Sequence, residues 1–238
     1  MRKIQTEKRS EEQEIMDDFL LKGEELRNAL DKIAAINRLL GGNKVTLSGL
    51  KRLLKQENKN HTFTIVDAGC GNGDMLRMLA DYAKKEHYKF LLIGIDANAY
   101  TVDYAAKLSE AYPNISYKCM DLFEDDFKKL KYDVVLSTLT LHHFKDEEIL
   151  EIMRSFYKNS TIGIVINDLE RSKTAYRLFQ LLCTIFGLNH MSREDGLLSI
   201  LRGFKKQELI HFSQKLGFRK YNVTWKWAFR YEWIIFKK

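Results

Sequence analysis

From residue 61 onward, short apolar runs alternate with amphipathic segments of helical period, and few arrangements of a chain bury both kinds at once. The runs Phe63–Ala68, Phe90–Asp96, Ile115–Met120, Asp133–Ser137 and Thr161–Asn167 hold apolar side chains on successive positions, so both of their faces are buried. Segments near Asp74–Glu86, Tyr100–Ala111, Glu124–Lys129 and Asp146–Tyr157 separate them with the spacing of helices. The pattern predicts an α/β fold: a doubly wound, mostly parallel sheet with helices on either side. Farther on come a helix at about Thr174–Phe186, an irregular stretch Gly187–Gly203 and a helix near Lys205–Leu216. Two strand-like runs follow, Arg219–Trp225 and Phe229–Phe236, and the three residues between them predict an antiparallel hairpin.

Before that domain, Ile15, Phe19, Leu26, Leu30, Ile33, Ile36 and Leu40 recur mostly at helical intervals, which predicts one helix over Glu11–Leu40 stopped by Gly41-Gly42. A second short helix is expected over Ser48–Gln56. The expected organisation is therefore an N-terminal helical lid or appendage at 1–60 and a main domain at 61–238 with a helical substrate-side insertion at about 171–203. With 45% hydrophobic residues and a single Pro in 238, the chain is not of disordered or low-complexity type. Three scattered cysteines without a C-x-x-C, and a mixed-charge N-terminus without an apolar core, predict a cytoplasmic protein. The longest uncharged stretch, Leu178–Ser192, is 15 residues, too short to span a bilayer, so no stable membrane insertion is expected.

The most informative segment is Asp67-Ala68-Gly69-Cys70-Gly71-Asn72-Gly73, which leaves a buried strand and enters a helix. Alternate glycines permit positive φ and close approach of a ligand, and the helix that follows aims free N–H groups at it. The spacing G-x-G-x-G differs from the dinucleotide pattern G-x-G-x-x-G, and Asp67 beside it suits a cationic or amino-bearing ligand better than a diphosphate. Asp96 ends the second strand 23 residues beyond Gly73, followed by Ala97, where a carboxylate meets ribose hydroxyls. Asp121-Leu122 ends the third, suited to an adenine amino group and ring edge. Each acid alone also serves as a helix N-cap; three at successive strand ends form a pattern.

These residues, together with Tyr132–Phe144 after them, resemble the class I S-adenosylmethionine-dependent methyltransferases over residues 62–168. The resemblance implies a Rossmann-like, seven-stranded sheet closed by the C-terminal hairpin, with S-adenosyl-L-methionine as cofactor. It implies that Asp67, Ala68, Gly69, Cys70, Gly71, Asn72 and Gly73 form the turn under the methionine moiety. Asp96 and Ala97 then lie at the ribose, Asp121 and Leu122 at the adenine, and Ser137 and Thr138 near the sulfonium. Shorter motifs, Asn37–Gly42, Asn167–Ser172, Ala175-Tyr176, Arg193–Gly196 and Ser199, resemble a bacterial small-molecule group associated with polyketide or phenolic-lipid pathways.

Methyl transfer to a hydroxyl needs an aligned acceptor and a group that takes its proton. His142 and His143 follow the fourth strand at the mouth of the expected crevice and are the candidate bases; the competing reading packs one on the sheet and uses the other as a helix cap. Asp168, after the fifth strand, either orients the acceptor or a histidine, or pairs with Arg171 and caps a helix. His190, Arg193, Asp195 and Arg202 are second-rank candidates. No metal is expected, since no Asp/Asn oxygen set surrounds the fourth strand. The expected acceptor is a small molecule, and the protein a monomer or homodimer; the stripe Leu178, Leu181, Leu182, Ile185 and Phe186 reads either as core or as the wall of a pocket for an apolar acceptor. Two rivals remain. A nucleic-acid methyltransferase is suggested by the last 37 residues, which carry a net +8 among five Trp and Tyr residues; a non-catalytic cofactor-binding protein shares the glycine turn.

Overall fold

The computed structural model describes residues 4–237. Seven strands form one sheet: β1 (Thr62–Ala68), β2 (Lys89–Asp96), β3 (Ile115–Cys119), β4 (Tyr132–Thr138), β5 (Ser160–Leu169), β6 (Tyr221–Lys226) and β7 (Arg230–Phe236), in the order β3-β2-β1-β4-β5-β7-β6. The first five are parallel, and β7 runs antiparallel to both β5 and β6. The expected sheet and closing hairpin are therefore present. Strand order reverses between β1 and β4, and in an open α/β sheet that reversal opens a crevice at the strands' carboxyl ends.

Consecutive residues of each central strand feed opposite layers, as the two-residue period of a strand requires. Ile65, Val134, Leu136 and Val165 pack with helices α2 (Gly42–Leu54) and α3 (Asp74–Glu86), through Leu50, Leu53, Leu76 and Leu79. Val66, Val135, Ile164 and Ile166 pack with α6 (Asp146–Asn159) and α9 (Lys206–Lys215), through Ile149, Met153, Phe156 and Phe212. Two shorter helices, α4 (Ala99–Leu108) and α5 (Asp125–Lys129), complete the crossovers. Of the hairpin aromatics, Trp233 is fully buried and donates from Nε1 to Ser213 Oγ (3.0 Å), so it belongs to the core.

Three expected elements differ. The helix expected over Glu11–Leu40 is instead α1 (Glu24–Leu39), preceded by an extended strap with one 3₁₀ turn at Ile15–Asp17. The strap's N–H groups go to tertiary partners: Ser10 N donates to Leu201 O (3.0 Å), and Ile15 N and Met16 N donate to the Asp195 carboxylate (2.7 and 3.0 Å). The second helix starts at Gly42 rather than Ser48 and lies on the sheet, where a Cβ at Gly49 would stand 2.5 Å from Val165. The stretch 187–203 contains α8 (His190–Arg202), packed on α7 (Lys173–Ile185). Gly196 marks the close packing of these two helices: a Cβ there would lie 2.4 Å from the Phe179 ring.

The strap and the C-terminal half are joined by Arg171, which is fully buried. It donates from Nη1 and Nη2 to the Glu208 carboxylate, from Nη1 to Gly203 O (2.5 Å) and from Nε to Thr6 O (3.1 Å). Removing Arg171 strands the Gly203 and Thr6 carbonyls and unpairs the partly exposed Glu208 carboxylate, at a cost of about 3 kcal/mol together. Arg171→Leu is therefore expected to lower the melting temperature by roughly 6–12 °C; a melt within 2 °C of wild type would contradict that role.

Candidate active site

The glycine turn lies at the end of β1, beside the reversal point. Gly69, Gly71 and Gly73 all take positive φ (76°, 51° and 76°). A Cβ at Gly69 would stand 2.3 Å from Thr140 Oγ1 and Cγ2, and one at Gly73 would stand 2.0 Å from the Tyr117 hydroxyl, so glycine is required at both. Asp96 closes the turn from β2: Oδ2 accepts from Gly71 N (3.1 Å) and Oδ1 from Asn98 N (3.1 Å). Asp67 is buried, and its Oδ1 has no hydrogen-bond partner. Burial, with Asp74 and Asp96 close by, pushes the Asp67 carboxyl well above the usual carboxylate range, and burial raises Asp96 as well. A ligand bearing positive charge relieves both effects, whereas a diphosphate would compound them.

One cavity of about 1500 Å³ runs from this turn to the histidine pair. Asp67, Gly69, Cys70, Gly71, Asn72, Asp96, Ala97, Asp121, Leu122 and Thr138 line it, as do His142 and His143. Ala68, Gly73, Ser137 and Asp168 do not. Ala68 and Ser137 are buried inside β1 and β4, Gly73 packs against Tyr117, and Asp168 lies behind His142. Its volume exceeds that of a single drug-sized pocket, roughly 300–1,000 Å³, and leaves room for two molecules.

At the far end the two imidazoles stand 4.3 Å apart, centre to centre. His142 is buried and donates from Nδ1 to Asp168 Oδ1 (2.6 Å); Asp168 Oδ2 accepts from His142 N (3.1 Å). Burial alone would raise the Asp168 carboxyl, but the His142 contact holds it below the usual range. Asp168 thus meets His142, while Arg171, its alternative partner, meets Glu208. Neither histidine caps α6, whose N-cap is Lys145.

Sequence reasoning missed the strap's share. Asp17 Oδ1 accepts from His143 Nδ1 (2.6 Å), and Asp17 Oδ2 accepts from Arg202 Nη1 (2.6 Å). Despite partial burial, those bonds hold the Asp17 carboxyl far below the usual range. Glu14 is buried beside them, its Oε1 3.6 Å from His142 Nε2 and its Oε2 accepting from Ser199 Oγ (2.9 Å); burial pushes its carboxyl up to about 7. Of the second-rank residues, Arg202 and Asp195 line the cavity, and His190 and Arg193 do not. Arg230, unforeseen as well, lines the cavity near Asn37, with Nη1 donating to Asn37 Oδ1 (2.7 Å) and Nε without a partner.

Because Asp195 accepts two strap N–H groups, Asp195→Ala strands both, at about 1–3 kcal/mol each if they stay buried. Limited proteolysis within residues 5–20 is expected to quicken by tenfold or more on the order-of-magnitude scale, with cleavage elsewhere unchanged. Equal strap cleavage in variant and wild type would contradict this anchoring.

Residues 65–163 match a family described as a methyltransferase domain. Over 186 residues the chain is 27% identical to a carboxy-S-adenosyl-L-methionine synthase of Campylobacter jejuni, covering 73% of this chain and 77% of that protein. Among solved structures it resembles the plantazolicin methyltransferase BpumL in complex with SAH, with TM-score 0.66 and 15% identity over 89% of this chain and 90% of that one. Magnesium protoporphyrin IX methyltransferase from Synechocystis PCC 6803 with bound SAM aligns with TM-score 0.56 and 17% identity over 94% and 89%.

Proposed function

From the premise that this chain is an enzyme with a class I, S-adenosylmethionine-dependent methyltransferase domain, we propose that it transfers a methyl group to the hydroxyl oxygen of a small, largely apolar acceptor. A single cavity carries the reading: acids and glycines suited to the cofactor at one end, a carboxylate-backed histidine pair at the other. S-adenosylmethionine supplies a methyl already activated on a sulfonium, so the protein's share is to align the acceptor, exclude water and take one proton.

The residues fit that cofactor. The Asp67 oxygen without a partner suits a cationic group, and Asp96 and Asp121 suit ribose and adenine donors. The free Nε of buried Arg230 suits a carboxylate. Of the sequence-derived cofactor residues, Ala68, Gly73 and Ser137 support the turn and floor from behind rather than by contact. His142 and His143 form the proton-accepting end, with Asp168 holding His142 and Asp17 holding His143 by Nδ1. Leu178, Phe179, Leu181 and Leu182 give the cavity an apolar wall, and the strap roofs it with Met16 and Phe19. No helix of the described residues is long and apolar enough to cross a membrane.

A second reading follows from Arg230 and from the carboxy-S-adenosyl-L-methionine synthase relatives: the free guanidinium donor receives a carboxyl group on a modified cofactor or on the acceptor. Incubation of the protein with S-adenosylmethionine and panels of phenolic, polyketide-like and carboxylated acceptors, with product masses recorded, separates the readings. A phenolic or polyketide-like product heavier by one CH₂, with stoichiometric S-adenosylhomocysteine, is the expected result. A carboxylated cofactor as sole product, or methylation only of added RNA or DNA, would overturn it.

A further inference from the structure

We propose that Glu14, His142 and His143 hold a divalent transition-metal ion at the acceptor end of the cavity. A ligand-capable atom from each lies within 4.8 Å of the other two. His142 Nε2 and Glu14 Oε1 stand 3.6 Å apart, both buried, and neither has a hydrogen-bond partner. That gap is too long for a hydrogen bond. Two ligands on one ion at about 2.1 Å, in tetrahedral arrangement, are separated by about 3.4 Å, which is close to the gap observed.

The three side chains are also anchored. His142 donates from Nδ1 to Asp168 (2.6 Å), which leaves its Nε2 for the ion, and Glu14 Oε2 accepts from Ser199 Oγ (2.9 Å); His143 Nδ1 donates to Asp17 (2.6 Å) and lies 3.9 Å from Glu14 Oε2. An imidazole whose N–H rests on a carboxylate is oriented, and made more basic, for a metal on its other nitrogen. Arg202 Nε lies 3.9 Å from Glu14 Oε1 but donates to the His142 carbonyl (3.2 Å).

Two imidazoles and one carboxylate select ions of the Zn²⁺, Fe²⁺ or Co²⁺ kind over Mg²⁺ and Ca²⁺, which prefer oxygen. Three protein ligands leave a position open, and an acceptor oxygen there would lose its proton more readily; in the loaded site the imidazoles would hold the ion in place of taking the proton themselves. The expectation of no metal weighed a Mg²⁺ site around β4, for which adjacent histidines are unsuited; Glu14 arrives from the far end of the chain. The consequence for catalysis rests on the proposed reading of the acceptor end; binding of the ion does not.

The test uses full-length protein stripped with a chelator and titrated with Co²⁺, read by calorimetry and visible absorption, with Zn²⁺ as competitor. One equivalent is expected, with the absorption of a nitrogen-ligated ion of low coordination number. Glu14→Gln and His142→Gln should each weaken binding roughly tenfold or more, while His190→Gln, outside the cluster, leaves it unchanged. S-adenosylmethionine binding measured on the same samples reports folding. Absence of Co²⁺ and Zn²⁺ binding in folded wild type, or undiminished binding in the Glu14→Gln/His142→Gln double variant, would overturn the metal site and leave the methyltransferase reading standing. Protein that bound the ion but not S-adenosylmethionine would overturn the latter alone.

Discussion

Gly69→Val is expected to abolish measurable S-adenosylmethionine binding while most of the sheet persists. At φ 76° a β-branched side chain is strained whatever the space, and here a Cβ would also stand 2.3 Å from Thr140. Relief would require the turn to move off Ile95 O, which accepts from Gly69 N (2.8 Å) and Cys70 N (3.0 Å), and so off the ligand. A milder companion separates loss of binding from loss of fold. Asp96→Ala removes the carboxylate and its bonds from Gly71 N and Asn98 N. Two charge-assisted bonds to a ribose are worth about 3 kcal/mol or more together, so affinity should fall on the order of 100-fold. Calorimetry with S-adenosylmethionine, beside circular dichroism to report folding, makes the measurement. Wild-type affinity in a folded Gly69→Val protein would place the cofactor elsewhere.

The second large effect is expected at Asp168, which is bonded to His142 and does not line the cavity. An asparagine keeps the shape but presents an N–H where the ring nitrogen needs an acceptor, so the imidazole loses its orientation. The expected result for Asp168→Asn is a kcat lower by about 10²-fold or more, with the affinity for S-adenosylmethionine within a factor of about two to three. That split marks a positioning residue; a purely structural role would lower stability and binding together. Asp168→Glu should restore part of the rate if orientation of His142 is the function. Unchanged kcat in Asp168→Asn would remove the His142–Asp168 pair from the reaction.

The residues proposed for the cofactor end of the cavity were legible because they are local. Glycines after a strand, and acids at the ends of β1, β2 and β3, stand next to the elements that position them, and a parallel sheet gathers such ends at one edge. His142 and His143 were visible for the same reason. Glu14 and Asp17 carried no such signal: Asp17 meets His143 across 126 residues, and Arg202 meets Asp17 across 185. The strap also mimics a helix, since Ile15 and Phe19 fall in phase with α1, yet Ile15 is 38% exposed and Phe19 51%. Gly23, with φ 103°, is where that phase breaks. Helix α8 was missed because Gly196 looks the same in sequence whether it ends a helix or admits Phe179.

Titration of the purified full-length protein with S-adenosylmethionine, S-adenosylhomocysteine and NAD in parallel bears most directly on the crevice at Asp67–Gly73. One equivalent of each sulfur nucleoside should bind, competitively with the other, and NAD should neither bind nor compete. A folded protein that ignored both sulfur nucleosides, or took up NAD in their place, would contradict the account.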